Sequence, residues 1–170
     1  TDDLALQNIQ ARVRAPSVWM LANVRGALLL ATSNRSEAAV GYTTMDGDTC
    51  GGIAPIAGID KAFLRHWLKW METTGPQGLC PVSELQQVNA QQPTAELRPV
   101  GKNQTDESDL MPYEVLDFIE RLAIRDKMMP REILEVLVTD SIVVSRQADR
   151  RHVSEWIKRF FTLWSRNQWK

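Results

Sequence analysis

"RGALLLATSNRSEAAV", Arg25 to Val40, is the stretch on which the fold turns. Gly26 ends a preceding helix, and Ala27 to Leu30 make a short, wholly apolar run. Such a run suits a strand buried on both faces, as in parallel sheets flanked by helices. Asn34 then caps a short helix through Ser36, Glu37, Ala38 and Ala39, with Glu37 in capping-box position. Strand, polar turn and capped helix together have the layout of an α/β ligand site. Ligands of such sheets sit beyond the carboxyl ends of the strands, against helix N-termini whose free amides favour anions. Thr32 stands at the strand tip and Glu37 in the first turn of the helix. The following "DGDTCGG", Asp46 to Gly52, reads as a flexible acidic rim whose glycines admit a ligand. It reads equally as structure alone, with Asp46-Gly47 a tight turn, Gly51-Gly52 a hinge and Glu37 a capping carboxylate. Spacing leaves both open.

Upstream, Asp3 to Val24 has helical periodicity, with Leu6, Ile9, Val13, Met20, Leu21 and Val24 three to four apart. Pro16 removes a backbone donor and is expected to kink or split this helix. Downstream, Asp60 is expected to cap "KAFLRHWLKWMETTG", where Phe63, Leu64, Trp67, Leu68 and Met71 share a face and Gly75 stops the helix. Pro81 opens a short helix, "VSELQQVNA". Residues 91–110, "QQPTAELRPVGKNQTDESDL", carry two prolines and no apolar periodicity, the pattern of a mobile loop. Three amphipathic helices follow, near 112–125, 130–139 and 147–166, and form a C-terminal helical part over 112–170. The last buries Val153, Trp156, Ile157, Phe160, Phe161 and Trp164. One strand among many helices cannot make a sheet. The expected fold class is therefore α/β, present as an incomplete, helix-rich portion of one domain spanning 1–170.

At 170 residues, 44% hydrophobic and 24% charged, the composition is that of an ordinary globular domain able to bury a core. A formal net charge of -1 gives no reason to expect a nucleic-acid or anionic-membrane partner. No apolar run reaches the roughly 20 residues that cross a bilayer, and no signal peptide is expected. Cys50 and Cys80 lack metal-ligand spacing and read as reduced thiols of a cytoplasmic protein. His66 and His152 are too few for a histidine-rich metal site.

Four blocks, in this order and spacing, resemble NAD synthetase. They are "NIQARVR" at 8–14, "ATSNRSEAAVGYTTMDGDTCGGIAPI" at 31–56, "QPTAEL" at 92–97 with "QTDESDLMPYEVLD" at 104–117, and the terminal "FFTLWSRNQWK". The last block, and "GG" followed by "AP", are most similar to the glutamine-dependent bacterial members. The resemblance implies an ATP-pyrophosphatase-type ligase on a Rossmann-like sheet of the adenine nucleotide alpha-hydrolase type. It implies adenylation of the nicotinate carboxylate of deamido-NAD by ATP, with Mg2+, and displacement of AMP by ammonia from a glutamine amidase domain. It also implies a homodimer or other homo-oligomer.

Carried over by position, the resemblance makes Asn8, Arg12 and Lys170 contacts of the dinucleotide. On a helix Asn8 and Arg12 are four apart and share a face. Thr32, Lys61 and Thr94 are implied ATP contacts, Lys61 also acting on phosphate during catalysis. Glu37 is an implied metal ligand, a hard oxygen donor suited to magnesium. Asp48 is an implied catalytic residue that orients ammonia or accepts its proton. The acidic "TDESD" is expected only to favour the next helix's N-terminus through its dipole. This sequence departs from the pattern in lacking the serine-glycine-glycine-x-aspartate-serine loop and any amidase domain. Gly52 and Met45 stand where shorter relatives carry aspartate and lysine. The chain by itself is therefore expected to turn over negligibly. The alternative is a non-catalytic nucleotide-binding or dimerisation module derived from the same fold.

Overall fold

The computed structural model describes residues 2–94 and 105–168, so Lys170 and much of the expected loop lie outside the described residues. The chain opens with α1, Asp2–Arg25, which continues unbroken through Pro16. The missing proline amide costs one hydrogen bond, and the 24-residue helix absorbs it without splitting. Gly26 follows with φ +56, which closes the helix in a left-handed turn.

At Ala27 to Leu30 the expected strand shrinks to a single parallel bridge between Leu30 and Ile53. Two hydrogen bonds make it: Gly52 N donates to Leu29 O at 2.8 Å, and Ala31 N donates to Ile53 O at 2.8 Å. Leu28 and Leu30 are exposed rather than buried on both faces. A strand acquires two covered faces only when neighbouring strands and helices supply them, and among the described residues none do. The bridge needs a glycine, because a β-carbon on Gly51 would lie 2.6 Å from Ala31 N.

The short α2, Arg35–Val40, is capped as its sequence foretold, with Asn34 Oδ1 accepting from Glu37 N at 3.1 Å. Gly41 ends it at φ +61, with the Asn167 side chain packed against the glycine and its Nδ2 donating to Val40 O. Next come α3, Lys61–Thr73, and α4, Leu85–Asn89, which pack together. Only Leu64 of the expected α3 stripe is fully buried, while Phe63 and Trp67 are exposed.

The expected loop at 91–110 ends in a helical turn, α5, Asp106–Asp109, capped by Thr105. Then α6, Tyr113–Glu120, runs directly into a π-helical turn at Arg121–Arg125. The remaining helices are α7, Pro130–Leu137; α8, Ser141–Val144; and α9, Arg150–Asn167. The core lies in this C-terminal half. Leu116, Ile119, Ile133, Leu137, Val143 and Phe160 are fully buried, and Trp156, Phe161 and Trp164 of α9 pack against them. Helix α6 is central, touching α2, α3, α8 and α9. Its residues are buried around nearly the whole circumference, as an interior helix requires.

By contrast, among the described side chains α1 buries only small residues, Ala11, Ala15 and Ala22, while Leu6, Ile9, Val13 and Val24 are each more than half exposed. Among the described residues, no helix is long and apolar enough to cross a membrane.

Candidate functional site

Two groups of polar side chains form around the elements that follow the bridge. The first joins α1 to the turn at 42–50. Gly47 sits close against α1, where a β-carbon would come within 3.1 Å of the Ala11 carbonyl. That approach lets Arg12 Nε donate to Met45 O at 3.1 Å. Thr44 then bridges both sides: its amide donates to Asp48 Oδ2 at 3.0 Å, and its hydroxyl makes a long 3.5 Å contact to Asn8 Oδ1. Asn8, Arg12 and Asp48, drawn from separate parts of the sequence, are thereby brought together. Arg12 and Asp48 are exposed, Asn8 half-buried.

The second group lies at the N-termini of α2 and α3. Lys61, the first residue of α3, places its Nζ 2.9 Å from Glu37 Oε1. Both side chains are largely shielded from water, and the ammonium also stands 5.7 Å from the centre of the Tyr113 ring. Glu37 therefore does not close the capping box expected of it, because its carboxylate is turned to Lys61. Thr94 lines the same cavity of about 690 Å³ as Lys61, with Arg65, His66, Tyr113 and Arg146 also in its wall. Thr32 is exposed just beyond the bridge. Lys170 lies outside the described residues.

Behind Lys61 stands a buried polar layer that the sequence reading did not foresee. Tyr113 Oη donates to Asp106 Oδ2 at 2.9 Å. Burial pushes the Asp106 carboxyl above its ordinary range, opposed by the Tyr113 bond and the charge of Lys61. The Tyr113 phenol is driven strongly upward by its own burial and by the negative charge of Asp106. The acidic run divides its tasks: Glu107 Oε1 accepts from Tyr113 N at 3.0 Å, capping α6 as expected of an acid there. Asp106 N donates to Pro93 O at 3.1 Å, so the residues on either side of 94–105 are tied together. Arg35 pairs with Asp60 and lies 3.1 Å from Glu120. Asp117 accepts from Ser36 Oγ and from Ala62 N, the latter at 2.9 Å. Burial raises the carboxyls of both Asp117 and Glu120. One signal for these two was present: acids within the apolar "YEVLDFIE". A buried charge needs a partner.

Residues 1–160 match the family model described as NAD synthase. A glutamine-dependent NAD(+) synthetase of Aquifex aeolicus is 42% identical over 134 residues, which is 79% of this chain and 22% of that protein. That of Rhodobacter capsulatus is 38% identical over 162 residues, 93% of this chain and 28% of that protein. The crystal structure of a glutamine-dependent NAD(+) synthetase from Cytophaga hutchinsonii superposes with a TM-score of 0.74 at 45% identity, covering 99% of this chain and 24% of that one. The chain thus spans about a quarter of the length of these relatives. With residues 1–160 of the chain matched by the family model and the fold shared with a solved member at 45% identity, the chain belongs to the NAD synthase family.

Proposed function

We propose that this chain forms part of an ATP-dependent amide ligase that converts deamido-NAD to NAD through an adenylated intermediate, using ammonia derived from glutamine. The observation that carries the reading is the Lys61–Glu37 pair, a shielded ammonium and carboxylate held 2.9 Å apart at two helix N-termini. The sheet that the single bridge begins is completed, on this reading, by Rossmann-like strands elsewhere in the full-length protein.

The chemistry has two steps. A nicotinate carboxylate oxygen attacks the α-phosphorus of ATP, and the bond to the bridging β-phosphate oxygen breaks, releasing pyrophosphate. Ammonia then adds to the acyl carbon, loses a proton and expels AMP. Lys61 supplies a point charge to the departing phosphates, and positioning with charge neutralisation does most of the catalysis. Asn8 and Arg12 hold the nicotinate end of the dinucleotide, and Lys170 also contacts the dinucleotide. Asp48 orients ammonia or takes its proton. Thr32 and Thr94 contact ATP.

Magnesium suits the donor present: it takes oxygen ligands, few of them protein carboxylates, and fills the rest with phosphate and water. Glu37 would offer that carboxylate by exchanging its contact with Lys61 for the ion. Bound there, the ion would neutralise charge on the phosphate oxygens. An amidase domain supplies ammonia, and a homo-oligomeric, cytoplasmic enzyme is the expected assembly. The open apolar stripe of α1 favours a second reading, a non-catalytic dimerisation module.

NAD formation by the full-length protein from deamido-NAD, Mg-ATP and glutamine separates the two readings. Lys61→Met is expected to lower kcat about 100-fold or more, the scale of removing one stabilising charge from phosphoryl chemistry. An unchanged kcat in that variant would remove Lys61 from the mechanism. Dinucleotide amidation by the 170-residue chain with ammonia would refute the expectation that it is inactive by itself.

A further inference from the structure

The first amides of a helix have no partner within it and must find one elsewhere. At α3 the residue in cap position does not provide one: Asp60 makes no side-chain cap bond, because its carboxylate is paired with Arg35. Two other residues take its place. Lys61 N donates to Ser36 Oγ at 2.8 Å, and Ala62 N donates to Asp117 Oδ2 at 2.9 Å. The Ser36 hydroxyl in turn donates to Asp117 Oδ1. Both carboxylate oxygens of Asp117 are therefore used, one directly on α3 and one through Ser36 on α2. Ser36 is fully buried and Asp117 nearly so, which makes this a cap supplied from α6 across the core.

Its placement matters because of what lies beside it. Ser36 immediately precedes Glu37, and the amide it accepts belongs to Lys61. Resting on the function proposed above, we propose that Asp117 is a positioning residue for the Lys61–Glu37 pair, fixing the backbones that carry both side chains. Asp117 is nearly buried and acts through the pair, its carboxylate being bonded to Ser36 and Ala62. An ionised carboxylate suits the task for two reasons. It offers two acceptor oxygens, and a negative charge is stabilised by the positive end of α3. Asparagine offers one acceptor. With its oxygen on Ala62 N, its amide would point at Ser36 Oγ, already an acceptor from Lys61, and the serine proton would lose its place.

The test uses the full-length protein in a double-mutant cycle between Asp117 and Lys61. Asp117→Asn is expected to lower kcat about 10- to 100-fold, the effect of misplacing a catalytic group by an ångström or less, with KM for deamido-NAD nearly unchanged. In a Lys61→Met background the same substitution should lower kcat several-fold less than in the parent, because only Glu37 is left to misplace. Equal losses in both backgrounds, or a loss of melting temperature with kcat intact, overturn the proposal. Should Asp117→Asn fail to fold, Ser36→Ala takes its place, since it leaves the Ala62 contact standing. Ser36→Thr is then expected to restore most of the lost kcat, and no restoration overturns the proposal. A full-length parent protein that makes no NAD overturns the proposed function and this inference with it. An active parent without the coupling overturns this inference alone.

Discussion

Replacing Arg35 with methionine tests how the buried acids of α6 are held. Arg35 Nε lies 3.1 Å from Glu120 Oε2, and the other end of the guanidinium pairs with Asp60. The Glu120 side chain is 7% exposed and that of Arg35 40% exposed. Breaking a fully buried pair costs about 3–5 kcal/mol, whereas a surface pair is worth roughly 0–1 kcal/mol. Here the acid is dry and the base partly wet, which puts the loss near 2 kcal/mol. For a folded unit of this size that is a fall of about 4–8 °C in melting temperature. The pH dependence sharpens the test. Burial already raises the Glu120 carboxyl above its ordinary value of 4.5, with Arg35 pulling it back and Asp60 and Asp117 pushing the other way. Without Arg35 it rises further, so the folded state binds the proton more tightly than the unfolded state. Stability is then kept below the ordinary carboxyl value and lost as pH climbs through the raised one. Thermal melts by circular dichroism should show a small difference from the parent at pH about 4 and the full difference at pH about 8. Arg35→Met with Glu120→Gln removes the stranded charge and should recover more than half of the loss. A penalty that is flat across this range, or a double variant no better than the single, would refute the account.

Two further outcomes follow from close approach and from burial. Gly51→Ala is expected to destabilise by about 1–3 kcal/mol in chemical denaturation, since its β-carbon would meet the Ala31 backbone 2.6 Å away. Gly52→Ala meets the far end of the Leu28 side chain at 3.0 Å and Leu29 O at an ordinary 3.8 Å and should cost less; equal costs would mean the bridge does not fix the backbone there. Asp106→Asn is expected to gain stability relative to the parent as pH rises from about 4 to about 8, because burial raises the Asp106 carboxyl and its ionisation therefore opposes folding. A difference independent of pH would show that Asp106 does not carry this effect.

Several local signals in the sequence were legible, although Pro16 does not split α1 and Asp60 does not cap α3 with its side chain. Asn34 caps α2, Gly75 follows the end of α3, and the α9 stripe faces the core, because each depends on residues three or four apart. Glu37 shows where such reasoning stops. Its spacing fits a capping box, yet Lys61, 24 residues on, offers a charge that a backbone amide cannot match. The strand expected at Ala27 to Leu30 rests on a short apolar run, and such a run does not say whether neighbours exist to cover its two faces. Of the candidate site, Asn8, Arg12 and Asp48 come together as one group and Glu37 with Lys61 as another. Thr44, which connects the first group, had no signal of its own, since a threonine in a turn is unremarkable until its two partners are known.

The acids of α6 teach a different lesson. Asp117 and Glu120 share the buried side of α6 with Val115, Leu116 and Ile119, which are fully buried, whereas Glu114 lies on the half-exposed side and pairs with Arg146. An ionised carboxylate in that setting costs several kcal/mol unless it is paired and hydrogen-bonded. Its presence is therefore a statement that something polar arrives from elsewhere in the chain. What arrives is the start of α2 and the start of α3, and nothing in "YEVLDFIE" names them. The sequence of α6 declares the demand, and only the fold identifies who meets it. Because the groups that meet it are Arg35, Ser36 and the amide of Ala62, the acids that look least suited to a core are the ones that bind the core to the candidate site.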